Sequence, residues 1–499
     1  MVDLMINRKQ TICGIGVKRL FWRGSNNLIG GDPRALDMTV WSPPRDLVMR
    51  QNYNAESRCP ESPTITYVPS LHQLELLATK QPQYNRDLVE NRIYTGHRPK
   101  RLHHHHHQMP STYLIIGGGI AGPVAALRLA QDGHRCTIYE RAARPHTIGG
   151  AINLAPNGLR LLSRLGIGDE VRRRGCAVSA FDVRDEGGAA LGSIANASRD
   201  GLFPGVRIMR SALQEILVAE VARRSGVAVE FGRELVAVEG GGDGVVARFA
   251  DGSVAVGDYL VGADGIHSTV RGYVAADVKP EYTRQSLVYG ILPTKDLPDV
   301  DFASMPPTCA VFARRGFFAA AFTDESRSCL YWIAAKTKEV AERSSDVEKI
   351  RAEEYERFKQ LYEPLPQIIA ATNEFFSWPV YELPELERWY KGRVVLVGDA
   401  AHALPPNMGQ GVSQAIEDVF MLARVVSHGR GFDRYEELRK PRIAKLRATI
   451  RKQTREQERG PWAQWLMTWG FWAFLKAVAV LNLFMAWDDF AYDPDTIKI

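Results

Sequence analysis

The chain has 499 residues, 45% hydrophobic and 24% charged, a balance that excludes a disordered or collagen-like protein and gives room for two or three ordinary domains. Its net charge of +6 comes from 63 basic and 57 acidic residues, and residues 1–108, with 15 basic against 9 acidic, carry the whole excess. The rest is neutral overall, so it lacks the phosphate-neutralising charge that a nucleic-acid partner needs. Six scattered cysteines (Cys13, Cys59, Cys136, Cys176, Cys309, Cys329) form no Cys-x-x-Cys pair. Neither a disulfide framework nor a metal site is expected, and a reducing, intracellular compartment fits.

Residues 1–108 read as a poorly ordered leader, because Pro43-Pro44, Pro60, Pro63 and Pro69 interrupt any long element. The segment ends in five histidines, His103–His107, which suit either metal binding or a low-complexity tract without the fixed geometry of a metal cage. Arg8, Lys9, Lys18, Arg19 and Arg23, opposed by Asp3 alone, faintly resemble a transit peptide. The preferred expectation is that the working protein begins at Met109, since Pro110-Ser111-Thr112 leads straight into the first convincing strand.

Tyr113–Ile116 is a short apolar run suited to a central parallel strand. Gly117-Gly118-Gly119-Ile120-Ala121-Gly122 follows, then a helix from about Pro123 to Gln131, then a second strand from Cys136 to Tyr139 that ends on Glu140. Strand, glycine turn, helix, strand and acid together form a dinucleotide fingerprint. Gly117 permits the turn, Gly119 admits a pyrophosphate close to the backbone, and Gly122 lets helix and strand pack. Glu140 is placed to accept from a ribose diol, which favours FAD or NAD over NADP at this position.

Two later segments repeat the pattern of an apolar strand running into an acidic turn. Tyr259–Gly262 leads to Asp264-Gly265-Ile266-His267-Ser268-Thr269-Val270-Arg271, and Val394–Val397 leads to Gly398-Asp399-Ala400-Ala401-His402, with Pro406, Gly409 and Gly411 before a helix from Val412 to Val426. In an open α/β sheet a ligand lies along the edge that such turns form. His402 has no second His or acid at metal-ligand spacing and reads as a structural hydrogen-bonding residue.

Asp-Gly-x-x-Ser-x-x-Arg followed by Gly-Asp-Ala-Ala-His-x-x-x-Pro-x-x-Gly-x-Gly resembles the class A flavoprotein monooxygenases, the para-hydroxybenzoate and salicylate hydroxylase type, over about Tyr113 to Arg459. The resemblance implies FAD, reduction by NADH or NADPH, and a C4a-hydroperoxyflavin that delivers one oxygen atom of O2. Carried over, it implies that Glu140 binds the adenosine ribose, Ala151 contacts the flavin through its backbone and Arg210 lies near the pyrophosphate. Asp399 would hold the ribityl chain, Val412 would offer an N–H near the ring system, and Asp264 would meet flavin and nicotinamide nucleotide. Two departures stand out: Ser413 where Asn is usual, and Tyr289-Gly290 where many aromatic hydroxylases have an aromatic followed by Arg. The second weakens the case for a simple benzoate substrate.

Between these motifs, strand-like runs at Ser286–Pro293, Cys309–Arg314, Phe317–Phe322 and Cys329–Ala334 precede a polar helix expected from about Thr337 to Tyr362. They suggest an antiparallel substrate sheet. Tyr289, Phe312, Tyr331 and Trp332 are candidates for the pocket wall, and Tyr289 and Tyr331 are the candidate catalytic residues, although strand alternation sends half of such residues to the other face. Residues 462–487, with Lys476 as their one charge, make a helix of about 39 Å. Gln464, Thr468 and Asn482 form a single polar stripe, which suits packing across the protein or attachment at a membrane surface more than a span.

The expected fold is therefore α/β: a Rossmann-like FAD-binding domain in two parts (109–275 and 391–460), an inserted, mostly antiparallel β-sheet domain (276–390), and a C-terminal hydrophobic helix and tail (461–499). The expected function is an FAD- and NAD(P)H-dependent monooxygenase that hydroxylates or epoxidises a hydrophobic small molecule, with a secondary-metabolite setting implied by the resemblance. The alternatives are a flavin reductase or dehydrogenase of the same fold, and a membrane-attached flavoprotein without catalysis.

Overall fold

The computed structural model describes residues 3–6, 20–23, 109–145, 149–198, 201–313, 315–344, 346–406, 409–457, 470 and 488–499. Residues 1–100 and 101–499 form separate compact units. In the first, strands Asp3–Ile6 and Leu20–Arg23 pair antiparallel. The expectations for His103–His107 and, apart from Gly470, for the helix over 462–487 lie outside the described residues. Among the described residues no helix is long and apolar enough to cross a membrane.

The second unit is built on a six-stranded sheet ordered Val227–Phe231, Arg135–Glu140, Thr112–Ile116, Tyr259–Gly262, Val394–Leu396, Tyr390–Lys391, parallel except for the last strand. Tyr113, Leu114, Ile115 and Ile116 are all buried, as the continuous apolar run requires of a central strand covered on both sides. The helices Ala121–Gln131 and Gly411–Ser427 pack against each other beside this sheet.

A second sheet has seven strands in the order Glu374–Glu382, Glu281–Pro293, Cys329–Thr337, Gly316–Phe322, Thr308–Ala313, Ala180–Arg184, Ala190–Ala195. Its two faces differ. Val288, Phe318, Trp332 and Phe375 point to one side, into a core shared with the helices Val347–Phe358 and Leu365–Ala371. Tyr289, Ile291 and Tyr331 point to the other. On that side stands a three-stranded sheet of Ala151–Leu154, Gly205–Met209 and Cys176–Val178, whose Ala151 and Met209 pack against the tyrosines.

Three expectations change. The strand from Cys329 continues to Thr337, paired with Gln285, and the helix expected over 337–362 occupies only Val347–Phe358, where the Asp346 carboxylate accepts from the Lys349 N–H. The strand Glu374–Glu382 escapes the pattern because it carries Pro379, which an edge strand tolerates. The strands within 180–195, inside the stretch assigned to the FAD-binding domain, join the wide sheet, so that sheet is discontinuous in sequence.

Candidate active site

Three loops meet at the C-terminal edge of the parallel sheet, following Ile116, Gly262 and Leu396. Gly117 adopts φ +109°, and a Cβ there would collide with the Ala263 carbonyl of the neighbouring loop. A Cβ on Gly122 would collide with the Gly117 carbonyl, so this glycine is fixed by close packing of the turn under the helix. Gly119 differs: a Cβ there would meet only a terminal nitrogen of Arg210, 3.7 Å away. It is the open side of the turn, facing the helix that begins at Ala121, and Arg210 stands over it.

Glu140 is buried, and its two oxygens accept from the Gly118 N–H at 2.7 Å and the Ala142 N–H at 2.9 Å. It therefore shapes the glycine turn, with lone pairs remaining for a diol. Asp264 has a similar double use. Its carboxylate accepts from Ser268 Oγ (2.6 Å), Thr269 N (2.8 Å) and Val270 N (3.1 Å), closing the turn that starts the helix Thr269–Val274. Burial pushes the Asp264 carboxyl up against these bonds. Arg271 of the same motif is buried and donates to Ile266 O (2.7 Å), Ala400 O (3.2 Å) and Val278 O (3.3 Å), tying the Asp-Gly turn to the Gly-Asp turn.

Asp399 opens the short helix Asp399–His402 after Gly398, whose φ is +59°. Its side chain is exposed at the edge of the sheet where the three loops meet. The surrounding protein pushes its carboxyl up, opposed by the nearby charges of His402 and Arg210. Behind the turn Asp418 accepts from the Gly398 N–H (2.8 Å), His402 Nε2 (2.5 Å) and Arg439 Nε (2.7 Å). His402 thus has the hydrogen-bonding place its spacing suggests. Val412 is the second residue of the helix Gly411–Ser427, where backbone N–H groups have no partner within the helix.

Tyr289 and Tyr331 come together, with ring centroids 5.6 Å apart, and both close on the Gly149–Ala151 segment. A Cβ on Gly150 would lie 2.6 Å from Tyr331 Cε2 and 3.2 Å from Tyr289 Cε2, so glycine is required for this approach. Phe376 stacks on Tyr289 at 5.0 Å. The other two wall candidates separate from this group: Trp332 points into the helix-covered core, donating to Thr372 Oγ1 at 2.9 Å, and Phe312 is 44% exposed.

Both departures acquire a structural reason. Ser413 is fully buried, its Oγ accepting from the Ala155 N–H at 3.1 Å, in a gap where even Gly158 could bear no side chain. At Gly290 a Cβ would lie 2.5 Å from the Trp332 indole, so no arginine fits there.

The FAD binding domain family matches residues 111–448. The chain belongs to the class A FAD-dependent monooxygenases. The 3-amino-4-hydroxybenzoate 2-monooxygenase PtnB3 of Streptomyces platensis is 32% identical over 367 residues, covering 68% of this chain and 87% of that protein. The 3-hydroxybenzoate 6-hydroxylase 1 of Aquipseudomonas alcaligenes is 32% identical over 345 residues, covering 68% and 86%. Klebsiella pneumoniae HpxO, solved with FAD and uric acid, superposes with a TM-score of 0.65 at 25% identity, covering 75% of this chain and 95% of that one. This monooxygenase accordingly takes FAD as cofactor and NADH or NADPH as co-substrate. Its own residues fit FAD: an open glycine turn at a helix start, a cation over it, and an exposed carboxylate, Asp399, on the neighbouring turn.

Sequence reasoning missed the bridging role of Arg271, the Arg439 and Glu417 partners behind the Gly-Asp turn, and Arg207. Arg271 lay within a quoted motif, but an arginine read as one motif letter gives no sign that it spans two loops. Arg207 stands in the strand Gly205–Met209, opposite Asn153 and Cys176, and faces Tyr331.

Proposed function

We propose that this monooxygenase hydroxylates a planar aromatic molecule held between the Tyr289–Tyr331–Phe376 face of the wide sheet and the edge formed by Gly149–Ala151. The observation that carries the reading is the pair of tyrosines closing on Gly150 beside the dinucleotide cleft. In this reading Arg210 and the helix start at Ala121 hold the pyrophosphate, Glu140 the adenosine ribose and Asp399 the ribityl diol. The Ala151 backbone and the Val412 N–H border the ring system, and Asp264 lines the entry shared with the nicotinamide nucleotide. The bound flavin, once reduced, supplies oxygen activation. The protein supplies position and dryness. Burial pushes both phenols up, so Tyr289 and Tyr331 stay protonated and act as hydrogen-bond donors to the substrate rather than as bases. The loop from Pro406, closed by the Gly409 N–H donating to Pro406 O at 2.9 Å, lies over Asn153 and limits water at the same point. The relatives' hydroxybenzoate substrates support an aromatic ring; the secondary-metabolite setting is supported by the motif resemblance alone.

The test is NAD(P)H-dependent oxygen uptake by the flavin-loaded protein with a panel of hydroxylated aromatic acids and amides, under 18O2. Stimulated uptake with one labelled oxygen atom in the product is expected. Uptake that no aromatic compound stimulates, with no labelled product, overturns the reading.

A further inference from the structure

A small cavity lies where the helix Phe432–Gln457 meets the loop over 383–389 and the Gly-Asp turn. Lys440, Ile443, Ala444 and Arg447 line it from the helix, at the i, i+3, i+4, i+7 spacing of a single face. Trp389 closes it from the loop, and His402 from the turn that carries Asp399. These walls are fastened to one another. Glu436 Oε2 accepts from the Trp389 N–H at 2.6 Å, the Leu383 N–H donates to Ala403 O at 2.9 Å, and the Trp389 and His402 rings lie 4.9 Å apart. The free space they enclose is about that of a water molecule.

Two of the lining side chains are almost wholly buried and can only donate hydrogen bonds: Arg447 is 7% exposed and Trp389 2%. Among the described residues neither the guanidinium nor the indole N–H has a hydrogen-bond or ion-pair partner. None of these nitrogens is sealed from solvent, so what stays accessible of each is at the cavity it lines. A guanidinium cannot shed its charge at neutral pH, and the surrounding charges do not match it. Lys440 pairs with Glu436 at 3.2 Å, His402 bonds Asp418, and Glu382 is taken by Arg451 at 3.7 Å. Glu385 is exposed on the rim and lies beyond ion-pair distance of Arg447, while Arg451 adds a like charge. Water alone would satisfy the donors and leave the charge unmatched, and a phosphate ester exceeds the space.

We propose that this cavity binds one small inorganic anion, chloride, held by the Arg447 guanidinium and the Trp389 indole N–H. Neither the cofactor nor the aromatic substrate proposed above supplies this group, and the site does not depend on which compound is hydroxylated. The anion neutralises a buried cation, joins the helix to the loop, and braces through His402 the turn that presents Asp399.

The test follows thermal unfolding of the flavin-loaded protein at constant ionic strength while chloride replaces gluconate, an anion too large for the space. An anion bound only by the folded state should raise the midpoint by about 2 °C for each tenfold rise in chloride above its dissociation constant. Arg447→Met should flatten that dependence, and Arg447→Lys should keep part of it. A flat midpoint in the wild type, a slope that survives Arg447→Met, or an Arg447-dependent rise with phosphate but not with chloride each overturn the proposal. Should Arg447→Met fail to fold, crystals of the wild type grown in bromide decide. An anomalous peak within hydrogen-bond reach of Arg447 and Trp389 supports the site, and the lack of one overturns it. A peak without any chloride-dependent midpoint in solution is binding at crystal concentration only, and also overturns it.

Discussion

Arg439 is fully buried and Arg207 half-buried, and the fold treats them oppositely. Arg439 donates to Asp418 Oδ1 (2.7 Å), Glu417 Oε2 (2.7 Å) and Gln414 Oε1 (2.9 Å), with the Tyr492 ring 5.2 Å away. Glu417 in turn accepts from Asn157 Nδ2 (2.6 Å) and from Arg442. Every charge in that cluster has an opposite, and the product is a fixed Gly398 N–H behind the Gly-Asp turn. Among the described residues Arg207 makes no ion pair, and its Nε has no hydrogen-bond partner. A saturated buried charge is part of the fold's framework, whereas a half-exposed one can keep its hydration.

The largest effect that sharpens this contrast is expected for Arg439→Met. Removing one partner leaves Asp418 and Glu417 buried without their cation, at a cost of about 3–5 kcal/mol, to be read as a loss of unfolding free energy in urea. A change below about 1 kcal/mol would erase the distinction between the two arginines. The same cluster has a pH signature. Burial alone would raise the Asp418 carboxyl, but His402, Arg439 and the Gly398 N–H overcome it and hold the group below the usual carboxylate range. Its folded-state pKa is thus depressed, so its stabilisation is present above the unfolded value and is lost as the pH falls through the folded one. Acid unfolding monitored by circular dichroism should begin at higher pH in Arg439→Met than in the wild type.

Glu140→Gln is expected to act more mildly, because Glu140 is half structural: its oxygens already accept from two backbone N–H groups. The amide keeps one acceptor and the packing but loses charge-assisted bonds, weakening FAD about tenfold. Flavin titration of the apoprotein measures this, and an unchanged dissociation constant would remove Glu140 from the cofactor site. The smallest effect is expected for Arg207→Met. With no partner orphaned, stability in urea should stay level or rise by about 1 kcal/mol. A fall of 2 kcal/mol or more, on the scale of about 3–5 for a broken buried pair, would show that Arg207 is structural after all.

The dinucleotide half of the molecule is legible in the residues alone. Continuous apolar runs ending in Gly117, Gly262 and Gly398 leave little choice but central parallel strands, and glycine at a forced φ or a forced contact is readable without coordinates. Those elements are local, and so are their signals. The wide sheet was legible only in part: the runs at 286–334 carry their own alternation, but Ala180–Arg184 becomes a member solely by pairing with Thr308–Ala313, more than a hundred residues away. No local pattern encodes such a partner. Alternation likewise assigns Tyr289, Tyr331 and Trp332 to two faces without saying which face a second sheet will cover, and the packing of Val347–Phe358 and of Ala151–Leu154 places Trp332 under the helices and the tyrosines against the small sheet. Arg207 is the extreme case. In sequence it is one arginine of many, and only the tertiary structure shows that its Nε is sealed without a hydrogen-bond partner, because the surroundings of a charge depend on its neighbours in space and not on its residue type.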